Sequence, residues 1–212
     1  MYRVLLPILL ILGLSVTPVV GQEVSLSDVQ DAYEKLDGLQ ASFTQIIGSS
    51  FADGSTRVDG SVLLSGNRYR VNTPDQTVVS DGTTTWIYTP VDSQVVVNDA
   101  DTEGAVTPET FLTASADRYE VELSTSTTRR GAPHVRLTLV ATDSSSRFAE
   151  ATLWVRRADQ VVTRMRARDR NGSTLDLRLR DLVVNPDALH SGTPFRFTAP
   201  SGVEVVDLRR SE

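Results

Sequence analysis

Two histidines, His134 and His190, are the side chains best suited to proton chemistry near neutral pH, and they stand far apart in the chain. With no cysteine anywhere, neither a thiolate nucleophile nor a Cys/His metal set can be assembled. Two separated histidines also lack the companions that a triad or a metal centre requires, so each is expected to play a surface role. There is no Gly-x-Ser-x-Gly elbow and no phosphate-cradling glycine loop. Asp99, Asp101, Glu103 and Gly104 imitate the first half of a calcium loop, but the twelfth position, where a bidentate carboxylate belongs, is Thr110, with Pro108 close by. Arg164, Arg166, Arg168, Arg178 and Arg180 recur at every second position beside Asp169, Asp176 and Asp181 in a chain of net charge −6. That pattern describes the wet face of a hairpin rather than a nucleic-acid surface. The expectation is a protein without catalytic residues, metal or cofactor, and without a nucleic-acid partner.

The elements that carry these residues are strands. From Glu150 to Val184 polar and apolar side chains alternate in three runs, so each run has one dry face and one charged face. Asn171-Gly172 is expected to form a two-residue turn that makes the last two an antiparallel hairpin. Similar runs occupy Leu39 to Ile47, Gly60 to Leu64, Arg68 to Asn72, Val78-Val79, Thr84 to Tyr88, Gln94 to Asn98, Tyr119 to Leu123 and His134 to Thr142. Ser27-Asp28-Val29-Gln30 has the form of a capping box ahead of a short amphipathic helix, and Thr107-Pro108-Glu109 opens a second one bearing Phe111 and Leu112. About ten strands and two small helices predict a mainly β fold. Its expected form is a single curved antiparallel sheet making an unclosed β-barrel, with short α-helices as a plug or lid. A curved sheet with one apolar face is a natural container for a hydrophobic ligand.

The first residues belong to another class. A short positive start ending at Arg3, an apolar run over Val4 to Leu14 and small residues up to Gly21 read as an export signal cleaved after Gly21. The apolar run is shorter than the roughly 20 residues a membrane-spanning helix needs. The domain organisation expected is therefore a cleaved signal peptide at 1–21 and one domain at 22–212. Without a cysteine, the residue after the signal cannot be lipidated.

Several stretches resemble, in order and spacing, the LolA family of periplasmic outer-membrane lipoprotein carriers. They are Leu39-Gln40-Ala41-Ser42-Phe43-Thr44-Gln45, then Val79-Ser80-Asp81-Gly82 followed by Trp86-Ile87-Tyr88-Thr89-Pro90, then Thr107-Pro108, and the ending Phe195-Arg196-Phe197-Thr198-Ala199-Pro200-Ser201-Gly202-Val203. The resemblance implies a monomeric carrier in the periplasm that receives the acyl chains of lipoproteins from an inner-membrane ATP-driven extractor and delivers them to the outer membrane. Whether an outer-membrane receptor completes delivery is left open. Together with the alternation, it implies that Phe43, Leu64, Tyr69, Val71, Leu137, Leu139, Leu153, Met165, Leu177 and Leu179 line a lipid-binding cavity and that Phe111 and Leu112 form its lid. The family's Arg-Pro pair after the strand ending at Leu64 is replaced here by Ser65-Gly66-Asn67-Arg68. The competing class is a lipid- or lipoprotein-sensing regulatory module on the same fold.

Overall fold

The structure, a computed structural model, describes residues 24–51, 54–100, 116–191 and 193–209. The expected signal peptide at 1–21, the helix opening at Thr107 and the acidic loop beyond Asp99 lie outside these residues.

The described chain is one twelve-stranded sheet and one α-helix, with the sheet unclosed. Strands β1 (Leu39–Gly48), β2 (Ser55–Ser65), β3 (Arg68–Asn72), β4 (Thr77–Ser80), β5 (Thr84–Thr89) and β6 (Gln94–Asp99) form one meander. Strands β7 (Tyr119–Arg129), β8 (Ala132–Ala141), β9 (Glu150–Arg156), β10 (Val162–Arg168) and β11 (Thr174–Val184) form a second. Pairing of β1 with β11 joins them, and β12 (Glu204–Asp207) adds outside β6, leaving β12 and β7 as the two edges. Neighbours are antiparallel throughout except β12, which runs parallel to β6. An open sheet of this width curls through its own twist.

The sheet has more strands than the roughly ten expected, the C-terminal run forming an edge strand of its own; several strands are also longer than their alternation. Strand β2 begins at Ser55 and β7 reaches Arg129, where Arg130 and Gly131 both have positive φ. These two residues make the two-residue hairpin turn that the sequence suggested for Asn171-Gly172. At Asn171-Gly172 only the glycine is left-handed. The Gly172 amide donates to the Asp169 carbonyl and the Asp169 amide to the Ser173 carbonyl, giving a three-residue loop with Gly172 at the bulge position. The Asp169 carboxylate takes the amides of Asn171 and Ser173 at 2.9 and 2.8 Å.

The helix α1 (Leu26–Glu34) is capped earlier in the chain than expected. Ser25, not Ser27, is the N-cap, its hydroxyl accepting from the Asp28 amide while the Asp28 carboxylate accepts from the Ser25 amide. The reciprocal pattern is the capping box with aspartate in place of glutamate. Leu26, Val29 and Tyr33 face the sheet. The Tyr33 hydroxyl accepts from the Val162 amide at 3.2 Å, where the β9–β10 register slips and the ladder leaves an amide to be satisfied. Asn185, in the left-handed region, ties the helix exit to the end of β11: its Oδ1 accepts from the Asp37 and Gly38 amides and its own amide donates to the Gly38 carbonyl.

Gly60 lies opposite Phe43 on β1. A Cβ at Gly60 would stand 2.7 Å from the Phe43 ring and 2.4 Å from the Asn72 carbonyl oxygen, so the ring lies over bare backbone. Gly60→Val should lower the unfolding free energy by about 1–3 kcal/mol, read as a lower urea midpoint. An unchanged midpoint would mean that the Phe43 ring does not need this space.

Candidate functional site

Register places the sequence-predicted lining residues on one face. Leu137, Leu153, Met165 and Leu177 stand side by side across β8, β9, β10 and β11, and the row continues to Gln45 on β1. Leu139 sits one step along β8, Leu179 opposes Phe43, and Leu64 opposes both Leu39 and Tyr69. Leu137, Leu139, Leu153 and Met165 have no exposed surface, and Phe43, Leu64, Leu177 and Leu179 are also buried. Tyr69 and Val71 are half-buried at the margin of the same cluster. Phe111 and Leu112 lie outside the described residues.

The inner face is not uniform. Over β8 to β11 it is closed, with α1 against its β10 end. Over β3 to β6 it changes character: Val71, Val78, Ile87 and Val96 pair in one continuous row and all four are only half-buried. Val62 and Ala41 extend that row into the core and Val206 on β12 extends it to the edge. On the outer face of the same strands Val79, Val95 and Val97 are buried, as is Phe195, while on the inner face burial is confined to Ser80 and Thr85 in the neighbouring row. The Arg70 guanidinium donates to the Pro194 carbonyl at 3.1 Å, and Tyr88 and Phe197 stack with ring centres 6.0 Å apart. The segment around Phe195 therefore backs this part of the sheet from outside, leaving a half-open apolar strip within. Alternation alone does not find Val78, Ile87 and Val96. Their signal is the lack of alternation in Val78-Val79 and Val95-Val96-Val97, the mark of strands apolar on both faces.

Arg68, which stands near the family's Arg-Pro position, has its guanidinium carbon 4.9 Å from the centre of the Phe195 ring and donates to the Ser65 hydroxyl at 3.0 Å. It is engaged on the outer side.

The opposite face carries the arginines. Asp176 is the centre: Arg164 binds it through two nitrogens at 2.8 and 2.6 Å, Arg178 reaches it at 2.7 Å and Arg166 at 3.3 Å. The guanidinium groups of Arg129 and Arg164 stand over the Trp154 ring, 5.3 and 4.7 Å from its centre. Thr44 donates to Asp59, Arg57 binds the same carboxylate, and Arg180 donates to Thr44. Burial pushes the Asp176 carboxyl up, but the hydrogen bonds and charges of Arg164 and Arg178 outweigh it and hold the group well below the usual carboxylate range. The Arg57 hydrogen bond, with that of Thr44, brings Asp59 to about 2.

His134 is buried rather than on the surface, its Nδ1 2.9 Å from the Ala132 carbonyl oxygen and its Nε2 without a partner. It lies opposite Arg156 and Thr127. The side chain of His190 lies outside the described residues. No group of three or more His, Asp or Glu side chains among the described residues could hold a metal ion.

The model of the family described as "Outer membrane lipoprotein carrier protein LolA" matches residues 34–198. The chain belongs to the LolA family. Among its relatives, the outer-membrane lipoprotein carrier protein of Pasteurella multocida is 28% identical over 194 residues, covering 87% of each chain. That of Aliivibrio salmonicida is 27% identical, covering 86% of this chain and 89% of the relative. Among solved structures, a conserved protein from Thermus thermophilus superposes with a TM-score of 0.57 at 17% identity, over 88% of this chain and all of its own. MucB superposes with a TM-score of 0.50 at 17% identity, over 85% of this chain and 65% of its own. Both share the LolA-type fold.

The Asp176 cluster has a consequence for acid stability. A carboxyl whose folded pKa lies below its unfolded value, about 3.9, binds fewer protons when folded, so its contribution is full above the unfolded value, begins to be lost as pH falls past it and is gone only below the folded pKa. Between pH 5 and pH 3 the urea midpoint should therefore drop, and Asp176→Asn should flatten that drop. Parallel slopes in the two proteins would remove Asp176 from the acid response.

Proposed function

We propose that this chain is a periplasmic carrier that holds the acyl chains of lipoproteins against its inner apolar face and conveys them from the inner to the outer membrane. The observation that supports this reading is the half-open row Val71, Val78, Ile87 and Val96, backed from outside by Phe195, in a member of the LolA family. Export with removal of residues 1–21, a mature domain at 22–212, loading by an inner-membrane ATP-driven extractor, and closure by Phe111 and Leu112 belong to the same proposal. The ten residues from Phe43 to Leu179 named above form the deep wall. Val78, Ile87 and Val96 extend it.

Energy limits how such a carrier can work. Three acyl chains of about 45 methylenes would gain roughly 36 kcal/mol if fully buried. Non-covalent affinity saturates near about 18–21 kcal/mol, and cargo must leave again. Partial burial on a strip that is open on one side keeps the interaction reversible, and nothing in it calls for bond-breaking chemistry.

The purified mature chain should bind a fluorescent apolar probe that a triacylated lipopeptide displaces near one to one, while the same peptide without its chains does not. Ile87→Glu should weaken that binding at least tenfold, because it sets a charge where a methylene chain would lie, and should leave the circular dichroism spectrum unchanged because Ile87 is half-exposed. No probe binding would contradict the carrier reading, as would equal competition by the bare peptide, which would favour a peptide-sensing module.

A further inference from the structure

The inner face of β3 to β6 has a second row beside the apolar one, and it is polar. Register sets Tyr69, Ser80, Thr85 and Asn98 side by side, one on each strand, starting from Leu64 on β2. The next row along the strands is Val71, Val78, Ile87 and Val96, roughly 7 Å away. A change from hydroxyl groups to continuous hydrocarbon over so short a span matches an amphiphile at the joint between its polar head and its chains.

Thr85 is the singular member of the row. It is only 6% exposed, and its Oγ1 has no hydrogen-bond partner. Ser80 beside it is fully buried, and its hydroxyl accepts from the Gly82 amide at 3.2 Å. Buried hydroxyls are normally paired, and valine would fill the same volume without the polar atom. A stranded donor on a face otherwise suited to hydrocarbon therefore points to an acceptor brought by the ligand. An ester or amide carbonyl attached directly to an alkyl chain is such an acceptor. With the chain lying on the Ile87 row, the carbonyl falls at Thr85.

We propose that Tyr69, Ser80 and Thr85 form a polar subsite for an acyl carbonyl, with the Thr85 hydroxyl donating to the carbonyl oxygen. This rests on the carrier reading and adds to it a preference for acyl over plain alkyl chains. It also sets the direction of the bound lipid, head at the Leu64–Asn98 row and chains toward Phe43 and Gln45.

The test compares two lipopeptides of equal chain length, one with ester-linked chains and one with ether-linked chains that lack the carbonyl. The wild-type protein should bind the ester form roughly two- to tenfold more tightly, the range expected for one hydrogen bond. Thr85→Ser should keep the preference, and Thr85→Val should abolish it. Equal wild-type affinity for the two lipids, or a preference that survives in Thr85→Val, would overturn the subsite and leave the carrier reading standing. Failure of the wild type to bind either lipid would overturn both.

Discussion

Antiparallel pairing of β1 with β11 makes one surface out of two separate meanders. It runs the length of β1, from Leu39 opposite Val184 to Gly48 opposite Thr174, and sets Phe43 against Leu179 so that the apolar face of β7–β11 continues into that of β1–β6. A bulge near Asp181, which takes positive φ, absorbs the one slip in this register. A shift by one residue at this seam would turn every side chain of one half to the wrong face. The Thr44, Asp59 and Arg180 contacts bridge the same seam on the outer side.

The two faces are covered by different means. Outside, over β9 to β11, arginines share Asp176 and stand over Trp154, which lets a charged surface lie flat on the sheet. Outside, over β4 to β6, the Phe195 segment supplies an apolar cover. Inside, α1 closes the β10 region, and the strip over β3 to β6 stays half-open. Under the proposed carrier function, this incomplete coverage among the described residues is what a ligand would finish: a stretch of hydrocarbon-like wall that the described residues do not cover themselves.

Much of this was legible from alternation. The strands of Glu150 to Val184 and of Leu39 to Ile47 follow it, because each has one wet face and one dry face, and the ten predicted lining residues all fall on the dry side. Strands β4 to β6 were less legible since both of their faces are apolar, so period two fades and Val78, Ile87 and Val96 do not announce a direction. Turn chemistry was misread at one hairpin. Asn171-Gly172 joins β10 to β11 as expected, but within a three-residue loop rather than a two-residue one, because the Asp169 carboxylate competes for the amides of Asn171 and Ser173. Ser25 and Ser27 differ by a similar local competition, decided by which hydroxyl reaches the Asp28 amide. Thr85 reads as an ordinary strand threonine until register shows what stands beside it.

The central claim is that acyl chains lie on the inner strip and not on the arginine face. Because the chain has no cysteine, single substitutions can carry one polarity-sensitive fluorophore each, Ile87→Cys on the strip and Arg166→Cys on the outer face. Addition of acylated lipopeptide should shift emission to the blue at position 87 and leave position 166 unchanged. A shift at position 166 with none at position 87 would place the lipid on the wrong side of the sheet and contradict the account.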